Sequence, residues 1–372
     1  MELVIAKDEF VAGLSRVQSV IERRTTLPIL SNVLLDAQKG GLMIVGTDLE
    51  VGLKGLYEAQ VKKTGSITVA SKKLFEIVRE LPPGEVRLKL EDGDRVNIQA
   101  GKADFHILGL ATDEYPILPD YKDEEFAKFP AADLSEMLEK VSGSIGQDET
   151  RVYLNGVYLE TSDNGGKPVL RAVATDGHRL SLCERPLPDG SKLKVSPGVI
   201  VPKKGVGELR KALDGLDGDI EIAFPERNLV VRAGGVLYII RLIDGQFPEY
   251  GAVIPAGNNR VLTASRDELV SVLRRVALLS EELGRGVKFS LDKKILELSC
   301  ENPNLGKASE EMAVTYDGEA FEIGFNARYF QDALGVVRDE DVNLAFNDAF
   351  SPVLIKSPSD PGFKAVIMPM RL

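Results

Sequence analysis

Apolar residues recur at helical spacing in short stretches that come in pairs along the chain. Phe10, Leu14, Val17 and Ile21 fall at i, i+4, i+7 and i+11, so they share one helix face. Leu74, Ile77, Val78 and Leu81 repeat the pattern until Pro82-Pro83-Gly84 stops it. Equivalent stripes are Leu134/Leu138/Val141, Leu269/Leu273/Val276 and Tyr329/Phe330/Ala333/Leu334. The pattern predicts helices over 8–24, 71–81, 133–142, 203–213, 266–276 and 326–338. Asp8 is placed to cap the first of them. Between these stretches the chain alternates like strands. Val86–Leu90 and Val96–Ala100 flank Asp92-Gly93-Asp94, which reads as a hairpin. Ile220–Phe224 and Leu229–Arg232 are the counterparts later on, and Val342–Phe346 begins a third set.

The same unit is thus written three times. Each copy opens with an amphipathic stretch, and further on a strand-like run leads into a second one. Ile67-Thr-Val-Ala, Val199-Ile-Val-Pro and Phe321-Glu-Ile-Gly-Phe are those runs. The offsets far exceed solenoid periods, so three globular domains of one kind are expected. Their expected bounds are 1–121, 128–252 and 256–372, joined by the proline-stiffened linkers around Tyr115–Tyr121 and Phe247–Pro255. Two helices with many antiparallel strands per copy give α+β domains, with helices packed on one side of antiparallel sheets.

Composition narrows the class. Hydrophobic content of 44% is that of an ordinary globular protein. No apolar run approaches the roughly 18 residues of a membrane span, and the N-terminus lacks the form of a secretory signal. Cys183 and Cys300, far apart, suit a reducing cytoplasm better than a disulfide scaffold, though pairing stays open. The net charge of −11 on its own argues against a nucleic-acid partner. Its distribution is less simple. The six predicted helices hold 16 Lys/Arg against 12 Asp/Glu, so the rest of the chain carries a balance of −15. Either the helices are simply solvated, or an acidic body offers one mildly basic surface.

No catalytic pattern emerges. Two histidines and two distant cysteines make no convincing zinc site. There is no Walker A sequence, no Gly-x-Gly-x-x-Gly after a strand and no Gly-x-Ser-x-Gly elbow. No catalytic residue, metal or cofactor is expected. Asp48 and Asp176 could suggest metal carboxylates, but both follow a strand in equivalent copies, and a turn role explains them more cheaply. The cluster Ala174-Thr-Asp-Gly-His-Arg-Leu180 reads on composition as a strand end with a tight turn. The tail Ala365–Leu372 is either a last core strand or part of a binding surface, a use that adaptable Met368 and Met370 would suit.

Thr26–Leu35, Tyr153-Leu-Asn-Gly156, Ala174–Leu180, Asp244-Gly-Gln-Phe-Pro-Glu-Tyr250 and Met368-Pro-Met-Arg-Leu372 occur in an order that resembles the bacterial sliding clamp family, the β subunit of DNA polymerase III. The resemblance covers essentially the whole chain. It implies a non-catalytic processivity factor: two chains close head to tail into a six-domain ring around duplex DNA, with helices lining the hole. DNA would be held by its phosphates, independent of sequence.

The resemblance also implies one partner pocket, shared by the replicative polymerase α subunit, the clamp loader and other polymerases and repair proteins. Each presents a short peptide with a glutamine and Leu/Phe anchors. Matching positions in the central copy are Leu154, Thr175, Gly177, His178, Arg179, Leu180, Pro248 and Val253. In the last copy they are Asn326, Tyr329, Val366, Met368, Pro369, Met370 and Arg371. Ala252 departs from the family's usual arginine, and Phe350 and Pro352 replace smaller or more polar residues, so peptide preference is expected to differ.

For DNA the matches are Arg24, Lys72, Lys73, Lys203, Lys204 and Lys211, with Gln147 and Arg151 in a loop that aligns less clearly. Phe105, Leu278 and Leu279 resemble the apolar pairs that close the dimer, although ordinary core residues would look the same. Two other classes compete: an enzyme on repeated α+β domains, which would need an acid/base cluster not found here, and a peptide-binding scaffold of clamp form that does not encircle DNA.

Overall fold

The computed structural model describes residues 1–21, 27–280 and 286–371. Among the described residues six α-helices form: α1 (Lys7–Val20), α2 (Ser71–Glu80), α3 (Ala131–Ser142), α4 (Lys203–Leu213), α5 (Arg266–Val276) and α6 (Ala327–Leu334). Each begins at the residue after a strand, with no intervening loop. Those strands are Glu2–Ala6, Gly65–Ala70, Ala127–Pro130, Val199–Pro202, Arg260–Ser265 and Phe321–Asn326. This strand-into-helix step, made six times, is the structural form of the sequence repeat.

Asp8 is not the cap of α1. The helix begins one residue earlier, and Ala6 occupies the cap position without a side-chain bond. Asp8 and Glu9 lie in the first turn, where their charge complements the helix dipole. Among the caps described, Asn326 does accept a hydrogen bond from the Arg328 N–H at 3.0 Å and so starts α6. Gly93 and Asp94 turn the predicted hairpin with positive φ, and Glu91 pairs with Arg95 across it. Cys183 and Cys300 are both free and buried.

The described residues group into two compact units. One comprises Met1–Ala132, Ser191–Leu193 and Gly207–Leu242, and holds a thirteen-stranded sheet. The other comprises Asp133–Gly190, Lys194–Val206 and Ile243–Leu372, and holds sheets of eight and four strands. Every pairing between strands is antiparallel. Phe10, Leu14 and Val17 of α1 and Leu74 and Val78 of α2 are fully buried, as the stripes predict. Each contributes about 1.5–3 kcal/mol by leaving water. In the second unit, Leu269 and Leu273 of α5 and Phe330 and Leu334 of α6 join the same apolar core. Phe330 meets Phe289 and Phe325 there, with ring centroids 4.7 and 5.0 Å away.

Several described strands keep an open edge: Ala59–Lys63, Ala127–Pro130 and Phe321–Asn326 each pair on one side only, and two more do so along much of their length. Ala103–Leu110 pairs fully with Arg95–Ala100, but on its other side only Gly109 and Leu110 meet a neighbour. Gly306–Ala313 ends the four-stranded sheet and pairs only with Ile295–Asn302.

Candidate functional site

Thr175 ends the strand Lys167–Thr175, and Asp176 after it builds the turn that returns the chain at Arg179–Pro186. The Asp176 carboxylate accepts from the backbone N–H groups of His178 (2.9 Å) and Arg179 (3.0 Å), and the Thr175 hydroxyl accepts from the Gly177 N–H at 3.1 Å. Gly177 has φ +91°, which a residue with Cβ adopts only under strain. Asp48 makes the same turn, accepting from Glu50 and Val51 at 2.9 and 2.7 Å. Asn302 does so in the last copy, accepting from Asn304 and Leu305. The turn role of these residues is thus visible in all three copies. Among the described residues no group of His, Cys, Asp and Glu is arranged to hold a metal ion.

The turn forms one wall of a cavity of about 220 Å³. Buried Leu154, Leu180 and Val366 line it, together with the exposed Pro248, Val253 and Met368. Thr175, Gly177 and Arg179 supply its polar side. The C-terminal segment takes both of the roles open to it. Phe363–Ile367 is a core strand paired with Arg179–Pro186, whereas Met368 to Arg371 lie beyond it. The Met368 N–H donates to the His178 carbonyl at 2.9 Å, and the Met370 N–H to that of Gly324 at 2.9 Å.

Nine of the predicted pocket residues therefore share this cavity, and six do not line it. His178 is exposed and contributes its backbone. Asn326 caps α6. Tyr329 lies under the Arg179 guanidinium. Pro369 follows Met368, and Met370 and Arg371 line a separate cavity. Phe350 is 86% exposed, held at a turn by Asp348, which accepts from the Phe350 and Ser351 N–H groups. Ala252 is exposed and Pro352 half-buried.

The sequence does not point to Tyr153, Tyr250 or Arg151 as lining residues. Arg151, matched to DNA by resemblance, also lines the cavity: its Nε–H bonds Asp148 at 2.9 Å and its guanidinium reaches Gly177. Hydrogen bonds from Thr150 and Arg151 hold the Asp148 carboxyl down to about 2. The Tyr250 hydroxyl donates to Glu160 and accepts from Arg171 at 2.7 Å. Burial, with the Glu160 bond, pushes it up to about 12. Tyr153 opens the motif Tyr153-Leu-Asn-Gly156 and Tyr250 closes Asp244–Tyr250, but nothing in their spacing distinguishes cavity from core.

Of the residues expected to face DNA, Lys72 and Lys73 are exposed on α2 and share Glu76 at 3.8 and 2.7 Å. Lys203 is exposed and Lys204 half-buried in the first turn of α4. Lys211 bonds the buried Glu208 at 2.8 Å. Gln147 is exposed in the loop after α3. Arg24 lies outside the described residues. Phe105 (40%) and Leu278 (67%) are exposed, and Leu279 packs partly against the last core.

Models of the DNA polymerase III beta subunit match the chain from end to end: its N-terminal domain at residues 1–119, its central domain at 128–249 and its C-terminal domain at 251–371. The chain belongs to the DNA polymerase III β subunit family. Relatives in this β subunit family include the beta sliding clamps of Caulobacter vibrioides, 39% identical over 374 residues, and Escherichia coli K12, 35% identical over 374 residues. Both alignments cover all of this chain and all of the relative. The crystal structure of a Caulobacter crescentus beta sliding clamp superposes with a TM-score of 0.95 at 39% identity, covering 100% of this chain and 99% of that one. The DNA polymerase III subunit beta of Pseudomonas aeruginosa gives 0.93 at 34%, covering both chains fully. The chain has the three-domain α+β fold of the β subunit family, with helices packed on antiparallel sheets.

Proposed function

We propose that this chain is a sliding clamp: a non-catalytic processivity factor that closes as a head-to-tail dimer around duplex DNA and tethers the replicative polymerase during DNA replication. The observation that carries the reading is full-length agreement with beta sliding clamps across all three domains. A scaffold that does not encircle DNA is not favoured by that agreement. Domain bounds of 1–121, 128–252 and 256–372 fit the reading.

The open edges support closure. Pairing Ala103–Leu110 of one chain with Gly306–Ala313 of another would cover both edges, and such unlike surfaces build rings. Phe105 and Leu278, both exposed, would be covered with them. Lys72, Lys73, Lys203, Lys204, Lys211, Gln147 and Arg151 would face the DNA, and Arg24 belongs with them by resemblance. A few cations on an acidic chain suit sliding, since phosphates are attracted without bases being read. The cavity beside Asp176 would take the Leu/Phe anchors of partner peptides from polymerases, the clamp loader and repair proteins, whose tethering raises local concentration. The site would be cytoplasmic, where replication proceeds; no described helix is long and apolar enough to cross a membrane.

The test is synthesis on a primed single-stranded circle with a cognate polymerase and loader. The expected result is a longer product per polymerase binding event when this protein is added. Unchanged product length contradicts the reading.

A further inference from the structure

The tail that passes the anchor cavity also reaches a second one. Met370 and Arg371 line a cavity of about 450 Å³ with Lys288, Ser299, Glu301 and Lys307. Its floor is one face of the four-stranded sheet. Lys288 pairs with Ser299 across the ladder, and Glu301 with Lys307. Directly opposed residues share a sheet face. Their neighbours Val287, Phe289 and Leu298 are buried in the core, so by the two-residue alternation these four point the other way.

Charge sets this cavity apart on a chain of net −11. Three cations converge on it, and Glu301 is the one acid among its lining residues. Lys288 is engaged by Glu322 at 2.9 Å. Lys307 and Arg371 make no ion pair among the described residues. The two cavities are separate but neighbours along the backbone. Met368 stands in the wall of one, and Met370 and Arg371 in the wall of the other. Two to three extended residues span roughly 7–10 Å. A peptide anchored in the first cavity therefore needs only about three residues to reach the second.

We propose that this second cavity receives acidic side chains flanking the hydrophobic anchor of a partner peptide. The inference rests on the first cavity being the anchor pocket. Carboxylates would meet Lys307 and Arg371, with the Lys288 charge beside them, in a concave, partly shielded setting, adding affinity and selecting among peptides that share the same anchor. The Lys307 side chain stands on the sheet face, so backbone pairing along its strand edge would leave it in place.

The test is fluorescence anisotropy of the intact protein with labelled Gln-Leu-Ser-Leu-Phe. The same peptide is also extended by Ser-Asp-Asp or by Ser-Ser-Ser at either end. At one end the acidic extension is expected to tighten binding roughly three- to tenfold over its serine control, the range for one or two exposed charge pairs. The gain should shrink at high salt. Lys307→Glu and Lys288→Glu should each remove most of it while leaving the unextended peptide's affinity unchanged. No gain at either end, or a gain that survives both substitutions, overturns the inference while the anchor pocket stands. Absence of binding by every peptide overturns the anchor pocket and this inference with it.

Discussion

The Arg179 guanidinium lies 4.4 Å from the centre of the Tyr329 ring. It also bonds Asp332 at 2.6 Å and Asp176 at 3.1 Å, with only 11% of its side chain exposed. One residue of the central copy thereby fixes the cavity turn to helix α6 of the last copy. A planar cation can stack and bond in several directions at once, which an ammonium cannot.

Arg179→Ala is expected to weaken peptide binding at least tenfold. It also removes a cation–π contact of about 0.5–2 kcal/mol. Arg179→Lys should fall between the two, keeping charge without stacking. Anisotropy titration beside a thermal melt checks this. Wild-type affinity in a folded Arg179→Ala protein would show that the turn is not part of the binding wall.

A second ion cluster joins α3 to the segment before the last strand. Arg185 bonds Asp360 at 2.9 Å and Glu136 at 2.6 Å, and the buried Lys140 contacts both acids. Burial works against ionisation of Asp360 and Glu136, but bonds from Arg185 and Lys140 outweigh it and hold both below their ordinary values. Stability from this source is present above the unfolded carboxylate range near about pH 4 and is lost as pH falls through the lower folded values. Breaking a buried pair costs about 3–5 kcal/mol, and because Glu136 remains, Asp360→Asn is expected near about 2. Its stability should also fall less steeply below pH 4. Urea unfolding at pH 7 and pH 3.5 measures both. Equal losses at the two pH values would contradict the role of this cluster.

Lys203→Glu with Lys204→Glu should reduce loading on DNA and leave dimerisation intact. Both residues are in the first turn of α4, where acidic side chains favour the helix dipole. Helix loss therefore would not explain a defect. The slope of log affinity against log salt should drop by up to about 2, roughly one unit per phosphate contact. Normal loading by the double variant would remove α4 from the DNA surface.

The helices were legible because their apolar stripes are long and strictly periodic, and all six formed within a few residues of expectation. The ends were less so. The last was expected to reach residue 338 but stops at Leu334, where Gly335 follows. The cavity was half legible. Its turn residues cluster in sequence, whereas Tyr153, Tyr250 and Arg151 enter it through packing that no local pattern encodes. The Lys140–Arg185–Asp360 cluster was invisible because Asp360 lies 220 residues from Lys140. On a helix face, Lys140 looks like any solvated charge, yet it is only 6% exposed.

Deleting Met370–Leu372 should abolish binding of a labelled Gln-Leu-x-Leu-Phe peptide without unfolding the chain. The strand Phe363–Ile367 and its pairing with Arg179–Pro186 stay whole, but the tail loses its bond to Gly324. Anisotropy and far-ultraviolet circular dichroism read the two outcomes. Unchanged affinity would detach the tail from the pocket.

Encirclement has the most direct test. The protein is loaded onto a nicked circular duplex, separated from free protein by gel filtration in high salt, and followed after the circle is cut once. A ring held by topology stays with the circle and falls off the linear DNA within minutes, and that is the predicted result. Equal retention on circular and linear DNA, or none on either after loading, would contradict the account.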